Sequence, residues 1–143
     1  MPALILALPL PVKSLVFISG AVNPYESIKK VFVERKAFNP ASISTLPRSD
    51  GKFTSVSPEF WKDLKRHENL PSLLKSHTGS ILALHGTEDT EIPVKGIKEL
   101  YKKARGEKKL KIFKDGDHGI LDVPKAMRQE FLQDIVNWFK KTL

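Results

Sequence analysis

Three short runs of the chain have the character of strands, the first two of them almost continuously apolar, and each ends at a turn residue. Ser14 to Ser19 stops at Gly20, Ser80 to His85 stops at Gly86, and Leu110 to Lys114 stops before Asp115-Gly116. Apolar runs of this length fit strands covered on both faces, as in a parallel sheet. Glycine then allows the chain to turn. Between these runs, apolar residues return at helical spacing. From Val123 to Lys141, the side chains of Met127, Phe131, Ile135, Val136, Trp138 and Phe139 make one apolar face. Asp122 is placed to cap that helix, Pro124 to open it, and Lys140 and Lys141 to suit its C-terminal dipole. A second helix is predicted from Val94 to Ala104, with Ile97, Leu100 and Tyr101 turned inward. A third begins at Ser57-Pro58-Glu59 and carries Phe60, Trp61 and Leu64, and residues 70–75 read as a short helical turn.

Strands alternating with helices predict an α/β fold with about three parallel strands flanked by helices. Residues 25–54 are less regular and contain Asn39-Pro40, Pro47 and Asp50-Gly51. With the helical stretch after them, residues 25–75 read as a helical and loop-rich insert, or lid, inside a single domain spanning 1–143.

Composition narrows the setting. The chain has 143 residues, 41% hydrophobic and 28% charged, as in an ordinary globular domain. There is no cysteine, which excludes disulfides and thiolate metal sites and makes a cytoplasmic home the simplest expectation. The formal net charge is +8. Its densest run is Lys102, Lys103, Arg105, Lys108, Lys109, Lys111 and Lys114. No series of aromatic residues interleaves with that run, so it reads as solvated surface and nucleic acid is not an expected partner. Met1 to Val12 is apolar but lacks a basic start and is broken by Pro2, Pro9 and Pro11, unlike a signal peptide. It is too short to span a bilayer, and no longer apolar run exists, so no membrane partner is expected.

Two loops carry candidate chemistry. His85-Gly86-Thr87-Glu88-Asp89-Thr90-Glu91-Ile92-Pro93-Val94 opens directly from a buried strand. Asp115-Gly116-Asp117-His118-Gly119 follows the next strand. In open α/β sheets, ligands bind beyond the C-terminal strand ends. The two loops should therefore lie side by side, bringing the Asp89 carboxylate to the His118 imidazole. His85 reads as a structural strand-end residue, and His67 and His77 as solvated. Glu88 and Asp117 read as surface carboxylates, although Asp117 could compete with Asp89 for His118. Trp61, Trp138 and Phe139 read as core. No set of residues has metal-ligand spacing, and no cofactor is implied.

This ordered pair of loops resembles the C-terminal half of an α/β-hydrolase, of the serine esterase, dienelactone hydrolase or prolyl-oligopeptidase type. In that family the triad runs nucleophile, acid, histidine. The resemblance implies that the three strands are the family's sixth to eighth, that Asp89 is the catalytic acid and that His118 is the catalytic base. Residues 2–8 then resemble the end of the helix after the nucleophile, and Phe60 to Leu74 the helix before the seventh strand. The family's G-x-S-x-G elbow is nowhere in these residues, since Ser19 in Phe17-Ile18-Ser19-Gly20-Ala21 lacks its spacing. The oxyanion-hole loop is missing too, and such donors are often worth about 3 kcal/mol or more.

The implied function is ester, amide or peptide bond hydrolysis by a Ser-Asp-His mechanism, with the nucleophile upstream or on another chain. The isolated chain is expected to have little activity. The alternative is a non-catalytic remnant used for binding or assembly. The strand from Leu15 to Ile18 would lack one neighbour, an exposed apolar edge that predicts a homodimer or a partner chain. A small-molecule or peptide ester or amide is the substrate class once the site is completed.

Overall fold

A computed structural model describes residues 11–48, 50–67, 74 and 77–143. The helical readings for residues 2–8 and 70–75 fall wholly or mostly outside them. The chain divides into two compact units, residues 1–22 with 70–143, and residues 23–69.

The first unit is built on strands β1 (Ser14–Ile18), β4 (Ser80–Gly86) and β5 (Lys108–Phe113). They form one parallel sheet in the order β1-β4-β5. Alternation along the strands sends side chains to two faces. Leu15, Phe17, Ile81 and Ala83 pack with Ile97, Leu100 and Ala104 of the segment after β4. Leu82, Leu84 and Phe113 pack on the other face with Phe131 and Trp138. The central strand β4 is therefore buried on both sides, which is why its sequence is apolar without a break.

Helix α3 (Val94–Lys103) covers the first face, with Pro93 at its N-cap position. Helix α4 (Lys125–Thr142) covers the second. Its N-cap position is Pro124, and Asp122 does not cap it. The Asp122 backbone N–H instead donates to Asp117 Oδ2 at 2.9 Å, because the chain first makes a 3-10 turn at His118–Ile120.

The basic run is less free than its composition suggests. Lys108 Nζ donates to the carbonyls of Tyr101 at 2.9 Å and Ala104 at 2.8 Å, closing the C-terminal end of α3. It also lies 4.9 Å from the centre of the Tyr101 ring. A cation at this end satisfies orphan carbonyls and opposes the helix dipole. Lys108→Met should keep the stem packing and lose these bonds, costing about 1–2 kcal/mol in urea denaturation. Lys109 and Lys111 pair with Asp134 on α4, and Lys111 also with Glu130. Burial opposes charge on both Lys111 and Asp134. Their mutual pairing outweighs it, raising the Lys111 pKa and lowering that of Asp134.

The second unit holds α1 (Pro24–Glu34), the antiparallel hairpin β2 (Ser44–Pro47) and β3 (Phe53–Val56), and α2 (Pro58–Arg66). Here the loop-rich reading of residues 25–54 fails locally. Asn23 caps α1 by accepting from Glu26 N, and Asp50-Gly51 closes a hairpin. Trp61 of α2 lies at the centre, with edge-on contacts to Tyr25, Phe32, Phe38 and Phe60. Its indole N–H donates to Ser44 Oγ at 2.9 Å, so the buried ring leaves no polar group unpaired.

Candidate active site

β4 and β5 end in register, Gly86 opposite Phe113, so their following loops leave the sheet together. Backbone bonds then hold the loops to each other. Thr87 N donates to Phe113 O at 2.9 Å, and Glu88 N to Gly116 O at 2.8 Å. Asp115 N donates to Thr87 Oγ1 at 2.8 Å. The approach is so close that a β-carbon on Gly86 would lie 2.0 Å from the Gly116 carbonyl oxygen. Glycine at this position is a packing requirement.

This fastening brings Asp89 to His118. His118 Nδ1 lies 3.0 Å from Asp89 Oδ2 and 3.1 Å from Oδ1. The Asp89 side chain has no exposed surface, whereas that of His118 is 40% exposed. Asp89 Oδ1 also accepts from Ile92 N at 2.8 Å and Glu91 N at 3.0 Å. The loop thus folds around its own carboxylate, as Asp commonly does in turns. A carboxylate can only accept, so the hydrogen-bond network assigns the Nδ1 proton to the bond with Asp89. Nε2 is then left as the acceptor nitrogen, with Glu91 Oε2 3.8 Å away.

Burial alone would push the Asp89 carboxyl up. The Ile92 N–H, the Ser19 hydroxyl and His118 outweigh it and hold its pKa below the ordinary value. A depressed folded-state pKa stabilises the fold above the unfolded carboxylate value of about 3.9, and that stability is lost as pH falls through the folded value. Asp134 is depressed as well and acts in the same window. The stability advantage of wild type over Asp89→Asn should therefore be full at pH 6 and shrink steadily below about pH 4. Urea titrations across that range read it directly.

Of the other candidates, His85 is completely buried, with Nε2 2.9 Å from Ile92 O and 3.5 Å from Asp89 Oδ2. It supports the acid loop from beneath. Asp117 is spent elsewhere, accepting from Leu121 N and Asp122 N at 2.9 Å each, which fixes the turn after His118. Glu88 accepts from Thr87 Oγ1 at 3.2 Å. His67 lies 3.8 Å from Asp63. His77 is not fully solvated, because burial lowers its pKa and its Nε2 has no partner among the described residues.

Two site neighbours were not singled out from the sequence. Glu91 places Oε2 3.8 Å from His118 Nε2. Ser19, at the end of β1, accepts from Gly119 N at 3.1 Å. Glu91 had a local signal, being two positions from Asp89, whereas Ser19 had none. Among the described residues no group of His, Asp or Glu could hold a metal ion, and no helix is long and apolar enough to cross a membrane.

A parallel sheet with a helix on each face, and an acid loop beside a histidine loop at its strand ends, defines part of an α/β-hydrolase fold. Solved structures agree. The esterase domain of a Rhodothermus marinus protein superposes with TM-score 0.64 at 19% identity, over 94% of this chain and 52% of that one. Est1E from Butyrivibrio proteoclasticus gives 0.65 at 18%, over 94% and 52%. The monoacylglycerol lipase of Paleococcus ferrophilus gives 0.70 at 18%, over 96% and 62%. The chain thus spans about half the length of the structures it resembles. No curated protein sequence matches it. The family model of the prolyl oligopeptidases matches residues 45–143, and the chain belongs to that family.

Proposed function

We propose that this chain supplies the acid and base of an α/β-hydrolase active site that cleaves ester, amide or peptide bonds by acyl transfer. The observation that carries this reading is the contact of His118 Nδ1 with a fully buried Asp89 carboxylate, on a side chain that itself stays partly exposed. In this role Asp89 fixes the tautomer and orientation of the imidazole. His118 Nε2 takes the proton from a nucleophilic hydroxyl as it attacks the carbonyl carbon, and Asp89 stabilises the imidazolium. Nε2 then returns the proton to the leaving group as the acyl bond breaks. Water repeats the sequence to release the acid.

The nucleophile and the oxyanion donors come from outside these 143 residues, in a longer form of the protein or on a second chain. Family membership and the likeness to esterases and a lipase support the same bond class. The substrate is a small-molecule or peptide ester or amide. Mass-resolved labelling with a fluorophosphonate, on the purified chain and in the native extract, tests the reading. Labelling of a longer form or of a co-purifying chain is expected. No labelling in either preparation, with the chain folded, would sink it.

The sheet edge favours a second reading, in assembly. β1 pairs only with β4 among the described residues, and no lysine lies between Ser14 and Ile18 to discourage further pairing. β5, in contrast, carries Lys108, Lys109 and Lys111. On this reading the β1 edge takes a strand from a second copy or from the chain that brings the nucleophile, or serves a non-catalytic binding module. Light scattering of the purified chain at high concentration should find a dimer. A clean monomer with no co-purifying partner counts against it.

A further inference from the structure

We infer that Ser19 is a positioning residue whose buried hydroxyl, on the turn after β1, anchors the His118 loop where it meets Asp89. Its catalytic meaning rests on the hydrolase reading above, but the geometry stands without it.

Ser19 is only 5% exposed, at the end of an apolar strand. Its backbone N–H donates to Leu84 O at 2.9 Å, extending the β1–β4 pairing by one step. Its φ is +44°, the left-handed region that a residue with a β-carbon seldom adopts. Such a conformation persists only where the surroundings hold it. What they hold is the hydroxyl. Ser19 Oγ accepts from the backbone N–H of Gly119, a hundred positions along the chain and next to His118. A hydroxyl that accepts keeps its own proton to donate. The Ser19 hydroxyl also favours the charged form of the Asp89 carboxylate.

Ser19 is therefore the link from the third strand of the sheet. β4 delivers the acid, β5 delivers the histidine, and β1 delivers a small polar group that holds the histidine loop. The other groups around Asp89 are the Glu91 and Ile92 amides, His118 and, at 3.5 Å, His85 Nε2. The Glu91 carboxylate faces His118 from the opposite side. Of these neighbours, Ser19 alone comes from β1 and bonds the histidine loop.

The test uses the full 143-residue chain and needs no nucleophile. Carboxyl 13C NMR follows the titration of Asp89, and amide exchange follows Gly119, in wild type, Ser19→Ala and Ser19→Gly. Both variants should raise the Asp89 midpoint, because a donor to the charged form is gone. Both should speed Gly119 exchange about tenfold, the scale of one net hydrogen bond. Glycine fits positive φ better than alanine, so Ser19→Gly should be the more stable of the two. If the Asp89 midpoint follows stability instead of the hydroxyl, Ser19 is merely structural and the inference falls. It falls equally if neither variant moves the midpoint. Should Ser19→Ala fail to fold, Ser19→Gly against wild type still decides. A failure of fluorophosphonate labelling would leave these results untouched, so the two ideas fail separately.

Discussion

Gly86→Ala should be destabilised by at least about 3 kcal/mol in urea denaturation, toward the upper end of what a single added methyl group costs. The new β-carbon would lie 2.0 Å from Gly116 O, 2.3 Å from Gly116 C and 2.6 Å from Asp117 O. All three are backbone atoms, so no flexible side chain can swing aside. That backbone is held by the bonds from Thr87 N to Phe113 O and from Glu88 N to Gly116 O. Relief requires breaking that fastening, which is what sets Asp89 against His118. The variant should lose the His118–Asp89 contact along with stability. Gly51→Ala is the control. It has open space around it and a φ of +77°, so its cost is conformational and about 1 kcal/mol. Equal costs for the two variants would mean that the loops do not approach as closely as described.

The same loops show what could be read from the sequence. β4 was legible because it is buried on both faces, which demands an unbroken apolar run. Gly86 and Gly116 were legible as turns, yet their requirement is contact with each other across two strands. Asp89 and His118 were legible because each directly follows a strand, and a parallel sheet delivers such residues to one edge. Ser19 also follows a strand, but its partner Gly119 lies far along the chain and leaves no local trace.

In the second unit α2 was legible from its Ser57-Pro58-Glu59 start, whereas α1, β2 and β3 escaped for another reason. β2 and β3 have four residues each, too few for alternation to stand out. α1 buries only Pro24 and Phe32, so its apolar face is narrow. Of the turn residues that suggested an irregular loop, Asp50-Gly51 closes the hairpin, Pro47 ends β2, and Asn39 turns the chain before β2 by accepting from Ala41 N and Ser42 N. Lysines mislead in the same way. Lys108 looks like one member of a solvated run, and only the fold reveals the α3 carbonyls beneath it.

On the proposed function, Asp89→Asn should leave the fold intact at neutral pH and lower turnover of the completed site by about 10⁴-fold, the loss expected when a triad histidine takes the wrong tautomer. Asparagine has the same shape, and its oxygen can still accept from Ile92 N and Glu91 N. Its amide nitrogen must then face His118, as a donor where wild type has an acceptor. Nδ1 can meet that donor only by giving up its proton, which moves to Nε2. The atom that should accept from the nucleophile is then already protonated. His118→Ala removes the proposed base outright and should cost a similar factor. Combining the two substitutions should cost little more than either alone, because both disable one unit. Fluorophosphonate labelling rates on whichever preparation labels would measure all three. Losses that multiply would mean that Asp89 acts on the reaction other than through His118. A near wild-type rate for Asp89→Asn would remove Asp89 from the mechanism and leave it as the carboxylate that folds its own loop.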